Sequence, residues 1–254
     1  MDVATALGLA AAAAGGGALN AVAGGGSFLT FPALLAIGVP PVAANATSTL
    51  ALWPGTLGSA WGYRSELRKV GGHVARLALV SALGAAAGAG WLLHSGDASF
   101  ARAVPWLLLA ATVLFASAGW LVPRLQARRS GDDVAPPRLK LLLLQVVVAV
   151  YGGYFGGGMG ILMLAAFALA GIGHVHTANG LKSMLGAIIN GVAVAVFAGW
   201  GPVQWPWVAV MVPGSLLGGY AGARLARRLP VTWVRWAVVA TGLALSLHFF
   251  RQPR

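Results

Sequence analysis

Cysteine is missing from all 254 residues, which excludes disulfides, thiolate metal sites and cysteine nucleophiles. Carboxylates are nearly missing too: Asp2, Glu66, Asp97, Asp132 and Asp133 are the whole set, and each falls in a predicted loop or terminus. Charged residues of either sign make up 9% of the chain, against ~25% in a soluble domain. A cytosolic globule is therefore excluded. No H-E-x-x-H motif or nucleophile–base pair appears, and His73, His94 and His248 cluster with nothing that would complete a metal site. The expectation is a protein that is not an enzyme and holds no cofactor or metal.

What remains is apolar. Hydrophobic residues form 58% of the chain, in runs of about 20 that match the ~30 Å of a bilayer's hydrocarbon core. Candidate spans are 3–23, 42–63, 73–94, 103–122, 140–155, 178–200, 205–225 and 232–250. The opening "MDVAT" carries an aspartate where a secretory signal needs basic residues, so 3–23 reads as the first helix of the mature protein. Two further apolar segments, 27–38 and 159–172, are too short to cross as straight helices. Each follows a glycine run, Gly24-Gly25-Gly26 or Gly156-Gly157-Gly158, and such runs break helices. Residues 3–38 and 140–172 thus read as broken hairpins that return to the side they entered from. Backbone of that kind is tolerated at membrane depth only inside protein or beside a water-filled cavity.

The net charge of +12 does not point to nucleic acid, because the cations sit in short loops between spans. Arg64, Arg68, Lys69 and Arg76 lie in one loop; Arg124, Arg128, Arg129, Arg138 and Lys140 in the next; Arg224, Arg227, Arg228 and Arg235 in a third. The alternate loops hold only Arg102. The positive-inside rule puts the three basic loops in the cytoplasm and both termini outside, provided each hairpin returns to its own side. Nine tryptophans near span ends fit an interfacial belt, and Trp53 alone lies mid-span.

The halves resemble each other. "GGGSFLTFPALLAIGVPPVAANATSTLALWPGT" aligns with "GGGMGILMLAAFALAGIGHVHTANGLKSMLGAIIN" across a two-residue gap, after which the offset pairs Asn45 with Asn179, Ser48 with Lys182, Thr49 with Ser183 and Thr56 with Asn190. An odd number of crossings per half makes the repeats inverted. The predicted fold is an all-α polytopic membrane protein of two inverted repeats, each a glycine-broken hairpin followed by three spans: about eight main helices and two short segments. Residues 1–123 form the first repeat, 124–139 a cytoplasmic connector and 140–254 the second repeat. Inverted repeats with matching broken helices mark secondary transporters, whose substrate sites lie near the midplane. Duplication retained for packing alone is the competing reading.

Asn179, Lys182, Ser183, Gly186 and Asn190 share one stripe of one helix, and Asn45, Ser48, Thr49, Thr56 and Ser59 form its counterpart, interrupted by Leu52. Pro54 lies within the first-repeat helix and favours a kink there. Two polar stripes at equivalent positions suggest the walls of one cavity. Hydroxyls and amides also join membrane helices, and for Ser48, Thr49 and Ser59 that reading is at least as good. No carboxylate in any span can neutralise Lys182. An unpaired cation near helix N-termini suits an anion; a lysine about one turn from the cytoplasmic end could instead snorkel to water. His174 and His176 read as interfacial residues, with proton carriage the alternative. Gly214, Gly218 and Gly222, spaced by four, permit close helix approach.

These motifs carry a family resemblance. "GGGSFLTFPALLAIGVPPVAANATSTLALWPGTLGSAWGYR" resembles the first-repeat signature of the sulfite exporter TauE/SafE family, and "GGGMGILM…TANGLKSMLGAIINGVAVAVFAGWGPVQW…GGYAGARLARRLP" its second-repeat signature, together covering about residues 5 to 250. The resemblance implies a multi-pass transporter of the bacterial inner membrane for small sulfur-containing anions, sulfite or short organosulfonates. Many members carry a charge in the first repeat's equivalent helix, where this chain has "NATST", so Ser48 stands opposite Lys182.

The substrate site expected from stripes and glycine breaks comprises Asn45, Ser48, Thr49, Asn179, Lys182, Ser183, Asn190, Gly25, Gly26, Gly157 and Gly158. Its partners are a small anionic substrate and the lipid bilayer. Transport of another small anion such as a carboxylate, and a non-transporting assembly or partner-binding protein, are the alternatives.

Overall fold

The computed structural model describes residues 2–22, 25–62, 73–127, 139–170, 172, 175–225 and 231–251. Gly24, His174, most of the connector and much of the three basic loops lie outside the described residues, as does the side chain of Ser59. The described chain is helical: α1 (Val3–Val22), α2 (Ser27–Ala36), α3 (Pro41–Gly62), α4 (His73–Ala127), α5 (Leu139–Tyr154), α6 (Met159–Ala170), α7 (Val175–Trp200), α8 (Trp205–Leu225) and α9 (Val231–Arg251). Three described stretches are long and apolar enough to cross a bilayer, Val3–Asn20, Val74–Leu114 and Thr177–Trp200, the second with room for two crossings.

One boundary differs from the sequence reading. The loop expected at 95–102 is helical, and α4 turns at a single residue, Gly96, whose φ of 69° and ψ of 162° only glycine adopts at little cost. A one-residue corner joins the two arms where eight residues of loop were expected.

Both hairpins double back on themselves. In the first, Gly16 lies against the Gly26 carbonyl and the Thr30 methyl, so α2 returns along α1. Asn20 Oδ1 fastens the turn by accepting the Gly26 N–H at 2.9 Å. In the second, Gly156 and Gly158 take φ values of 79° and 77°, and the Tyr151 hydroxyl donates to the Gly157 carbonyl at 2.5 Å. Each turn is thus pinned by one polar side chain from the helix before it.

The hairpins then interlock with the other half of the chain. Gly214, Gly218 and Gly222 of α8 face Ala10, Ala14 and Ala18 of α1 so closely that a Cβ on Gly218 would overlap the Ala14 carbonyl. The register rises together on both helices, so α1 and α8 run parallel. Likewise Gly84 and Gly88, in the first arm of α4, meet Val146 and Val150 of α5, again in parallel. With little hydrophobic driving force between helices in lipid, such backbone proximity supplies the packing that holds them.

α3 and α7 cross at the centre, where the Trp53 indole lies on Gly191 and donates its N–H to the Ala187 carbonyl at 3.1 Å. An aromatic cluster of Phe31, Phe100 and Phe155 ties α2, the second arm of α4 and the second glycine turn together, with Phe31 and Phe155 edge-on at 5.9 Å. The Asp97 carboxylate, just past the Gly96 corner, accepts the Val42 N–H at 2.8 Å and so caps α3.

Candidate functional site

Lys182 sits seven residues into α7, about 10 Å along it at 1.5 Å per residue. Its aliphatic stem runs over Gly160, the second residue of α6: a Cβ built there would lie 3.3 Å from Lys182 Cδ and 3.7 Å from Cγ. A bare glycine thus leaves room for the lysine stem at the start of α6. Ser183, Asn190 and Asn179 are half-buried on the same helix. Met159 and Met163 form the apolar floor, their methyls 3.8 and 3.9 Å from where a Gly186 Cβ would stand.

Among the described residues no carboxylate pairs with Lys182. Asp97 is held at the start of α3, and Asp2 accepts from Thr5 at the N-terminus. The backbone at this place is donor-rich. Met159 N–H reaches the Gly156 carbonyl at 3.4 Å, and the Ile161 and Leu162 N–H groups share the Gly158 carbonyl. The N–H groups of Gly157, Gly158 and Gly160 find no backbone acceptor among the described residues. The lysine stem and several amide donors therefore meet at the first turn of α6, which also carries the positive end of that helix. Successive N–H groups in a turn of this kind form a concavity suited to an anion.

The first-repeat stripe is built differently. Asn45 and Ser48 are 2% and 1% exposed. The Asn45 amide donates to the Tyr154 carbonyl at 3.2 Å, so it closes the end of α5. Ser48 and Thr30 pair hydroxyl to hydroxyl at 2.6 Å. Thr49 and Thr56 donate within their own helix, to Asn45 O and Trp53 O. Gly25 and Gly26 are buried, and the Gly26 N–H is already taken by Asn20. The expected site residues thus fall into two groups: Lys182, Ser183, Asn179, Asn190, Gly157 and Gly158 belong to α7 and the second turn, whereas Asn45, Ser48, Thr49, Gly25 and Gly26 belong to α3 and the first.

Sequence reasoning passed over Gly160, Tyr151, Thr30 and Asn20. Tyr151 and Asn20 stand in each case just before a glycine run, and Thr30 shortly after one, a pattern that marks them as turn-fastening groups once the runs are read as turns. Gly160 gave no signal beyond its nearness to the run. No group of three or more His, Asp or Glu capable of holding a metal occurs among the described residues.

Comparison with known proteins agrees with an origin in one membrane family. The model of the sulfite exporter TauE/SafE family matches residues 9–249. A probable membrane transporter protein of Haemophilus influenzae is 32% identical over 238 residues, covering 90% of this chain and 88% of that one. The probable membrane transporter protein ORF9 of a Sinorhizobium species is 32% identical over 246 residues, covering 93% and 89%. The probable membrane transporter protein YfcA of Escherichia coli K12 is 25% identical over 235 residues, covering 91% and 84%. No solved structure matches the chain. With the family model spanning nearly its whole length, the chain belongs to the TauE/SafE family of membrane transporters.

Proposed function

We propose that this transporter exports a small sulfur-containing anion, sulfite or a short organosulfonate, across the bacterial inner membrane. The observation that carries the reading is Lys182, a lysine without a carboxylate partner among the described residues, its stem laid over Gly160 at the donor-rich start of α6. Lys182 supplies charge, and Asn179, Ser183, Asn190 and the Gly157 and Gly158 amides supply hydrogen bonds. Hydrogen bonds to an ionised partner are stronger than neutral ones, and more so away from water.

The halves work as inverted repeats in this reading. Its support is the element pairing: α1 packs with α8 as α5 packs with α4, and α3 meets α7 through Trp53 and Ala187, which the repeat alignment makes equivalent. A residue that contacts its own counterpart is the mark of a two-fold relation. The basic loops set the orientation, with both termini outside. An inside-negative potential then drives anion exit by about 2.3 kcal/mol per charge per 100 mV, so export requires no coupling ion.

The test is sulfite flux in proteoliposomes at a clamped potential, comparing wild type with Lys182→Ala. Flux that follows the potential and falls at least tenfold in the mutant is expected. Unchanged flux in Lys182→Ala would remove the lysine from the site. Acetate flux without sulfite flux would move the substrate to carboxylates, and no flux of either would favour a non-transporting membrane protein.

A further inference from the structure

The two glycine turns are fastened with opposite polarity. In the first, Asn20 offers an acceptor, and its Oδ1 takes the Gly26 N–H at 2.9 Å. In the second, Tyr151 offers a donor, and its hydroxyl gives a hydrogen bond to the Gly157 carbonyl at 2.5 Å. The first fastening uses up an amide proton. The second uses up a carbonyl oxygen and leaves the amides alone.

Followed one by one, the carbonyls of the second turn are all occupied. That of Gly156 accepts the Met159 N–H at 3.4 Å, and that of Gly158 accepts the Ile161 and Leu162 N–H groups at 3.0 and 3.4 Å. Among the described residues no backbone donor reaches the Gly157 carbonyl between them, and the Tyr151 hydroxyl takes that place. The N–H groups of Gly157, Gly158 and Gly160, by contrast, have no backbone acceptor among the described residues. Gly157 and Gly158 are buried, and a buried N–H is seldom left without an acceptor. A turn with its oxygens spent and its protons unspent suits an acceptor brought by a ligand. The Lys182 stem, against Gly160, brings a cationic side chain to the same turn.

The Gly157 carbonyl and the Gly158 N–H belong to one peptide group, and in a trans peptide they point opposite ways. Holding the oxygen at Tyr151 therefore turns the Gly158 N–H away from it. In that orientation Gly158 has a φ of 77°, a region glycine occupies about as readily as negative φ. Rotating this one peptide by half a turn would bring Gly158 to negative φ at little steric cost. It would also put a carbonyl oxygen where the N–H now stands. The glycine backbone does not choose between the two arrangements; the Tyr151 hydroxyl does.

Resting on the transporter reading above, we infer that Tyr151 is a positioning residue for the anion: its hydroxyl holds the Gly157–Gly158 peptide with the proton, not the oxygen, presented to the substrate. The turn then attracts an anion instead of repelling it. Tyr151 itself touches no substrate and acts through the peptide it holds. The amide it presents counts for most against an ionised partner away from water.

Two variants disturb the same peptide from either side. Tyr151→Phe keeps the ring, with its edge contact to Phe155 at 6.3 Å between centroids, and loses only the hydroxyl. Gly158→Ala keeps the hydroxyl but adds a Cβ that disfavours positive φ, and so favours the turned peptide. It is made together with Ala111→Gly, which removes the Cβ that would stand 3.3 Å from the new one, and Ala111→Gly alone is its reference. Binding is read from the rise in unfolding temperature of detergent-purified protein titrated with sulfite and, separately, with acetate. Flux of the same anions is measured in proteoliposomes. Tyr151→Phe is expected to raise the half-saturating sulfite concentration at least tenfold while maximal flux stays within threefold. Gly158→Ala with Ala111→Gly is expected to do the same, and all three substitutions together to be no weaker than either variant.

Unchanged half-saturation in Tyr151→Phe, or a fall in maximal flux alone, would make Tyr151 a structural fastening and overturn the inference while leaving the sulfite reading in place. Should Tyr151→Phe fail to fold, unchanged half-saturation in the Gly158→Ala pair would overturn it equally. Acetate binding that weakens in both variants, with no sulfite binding or flux in wild type, would move the cargo to carboxylates and support the role of Tyr151. Wild-type protein that neither binds nor carries either anion would overturn the inference and the anion reading together.

Discussion

Trp53 donates its indole N–H to the carbonyl of Ala187, the residue that the repeat alignment makes its own counterpart. The contact fixes the crossing of α3 and α7, and Gly191 opposite gives the ring room: a Cβ there would stand 3.2 Å from two of its atoms. Trp53→Phe keeps most of the ring and loses the donor. It should destabilise the protein in detergent by about 1 kcal/mol, the usual net worth of a neutral hydrogen bond. Trp53→Ala should cost about 3–5 kcal/mol through the cavity it leaves. Thermal unfolding of the purified variants checks both, and a Phe variant as damaging as Ala would show that the hydrogen bond carries the crossing.

Gly218→Val should prevent α1 from reaching α8, since even a Cβ there meets the Ala14 carbonyl. Backbone on both sides leaves little to give way, and the expected result is loss of monodisperse protein on size-exclusion chromatography. Gly90→Ala is the control. Nothing lies within 4 Å of a Cβ at that position. Helix propensity should make it neutral or stabilising by up to about 1 kcal/mol.

Gly160→Val should act on transport more than on folding. The added branches fall on the Lys182 stem, and a long flexible side chain can move where backbone cannot. Flux should drop at least fivefold with a change in unfolding temperature of only a few degrees. Combining Gly160→Val with Lys182→Ala should add little beyond Lys182→Ala alone, the non-additivity expected of residues acting as one unit.

Gln145 donates to Ser81 at 2.8 Å between α5 and α4, and its Oε1 is buried with no partner among the described residues. Ser81→Ala strands the amide further and should cost about 1–3 kcal/mol. Replacing both partners, Ser81→Ala with Gln145→Leu, should recover most of that loss or exceed wild-type stability, because two apolar groups leave nothing unsatisfied. A double variant less stable than Ser81→Ala alone in thermal unfolding would contradict this account.

The helices themselves were readable in the sequence because lipid imposes a length and glycine runs announce breaks. The eight expected spans and both short segments recur as helices or helix arms, most within a few residues, although the arm expected at 103–122 runs from the Gly96 corner to Ala127. The Gly96 corner escaped because a loop and a one-residue turn leave the same polar trace: His94, Ser95 and Asp97 read as loop residues. The lysine and its stripe were visible as polar residues on an apolar helix. What occupies Asn45 and Ser48 was not. Tyr154 O and Thr30 come from elements far from α3 in sequence or beyond an intervening turn, and no periodicity encodes a partner. Trp53 stood out by its place in mid-span, but its acceptor is a main-chain carbonyl, invisible to side-chain patterning.

The parallel pairing of α1 with α8 sets a schedule for the ribosome. α1 finds its partner in α8, about 200 residues later in the chain, which at 5–20 residues per second is a wait of roughly 10–40 s. Until then the small-residue face of α1 meets lipid or a chaperone. The first half, made alone, would hold α1 without the glycine face that fits it, and two separately translated halves would have to find each other within the bilayer before either was complete.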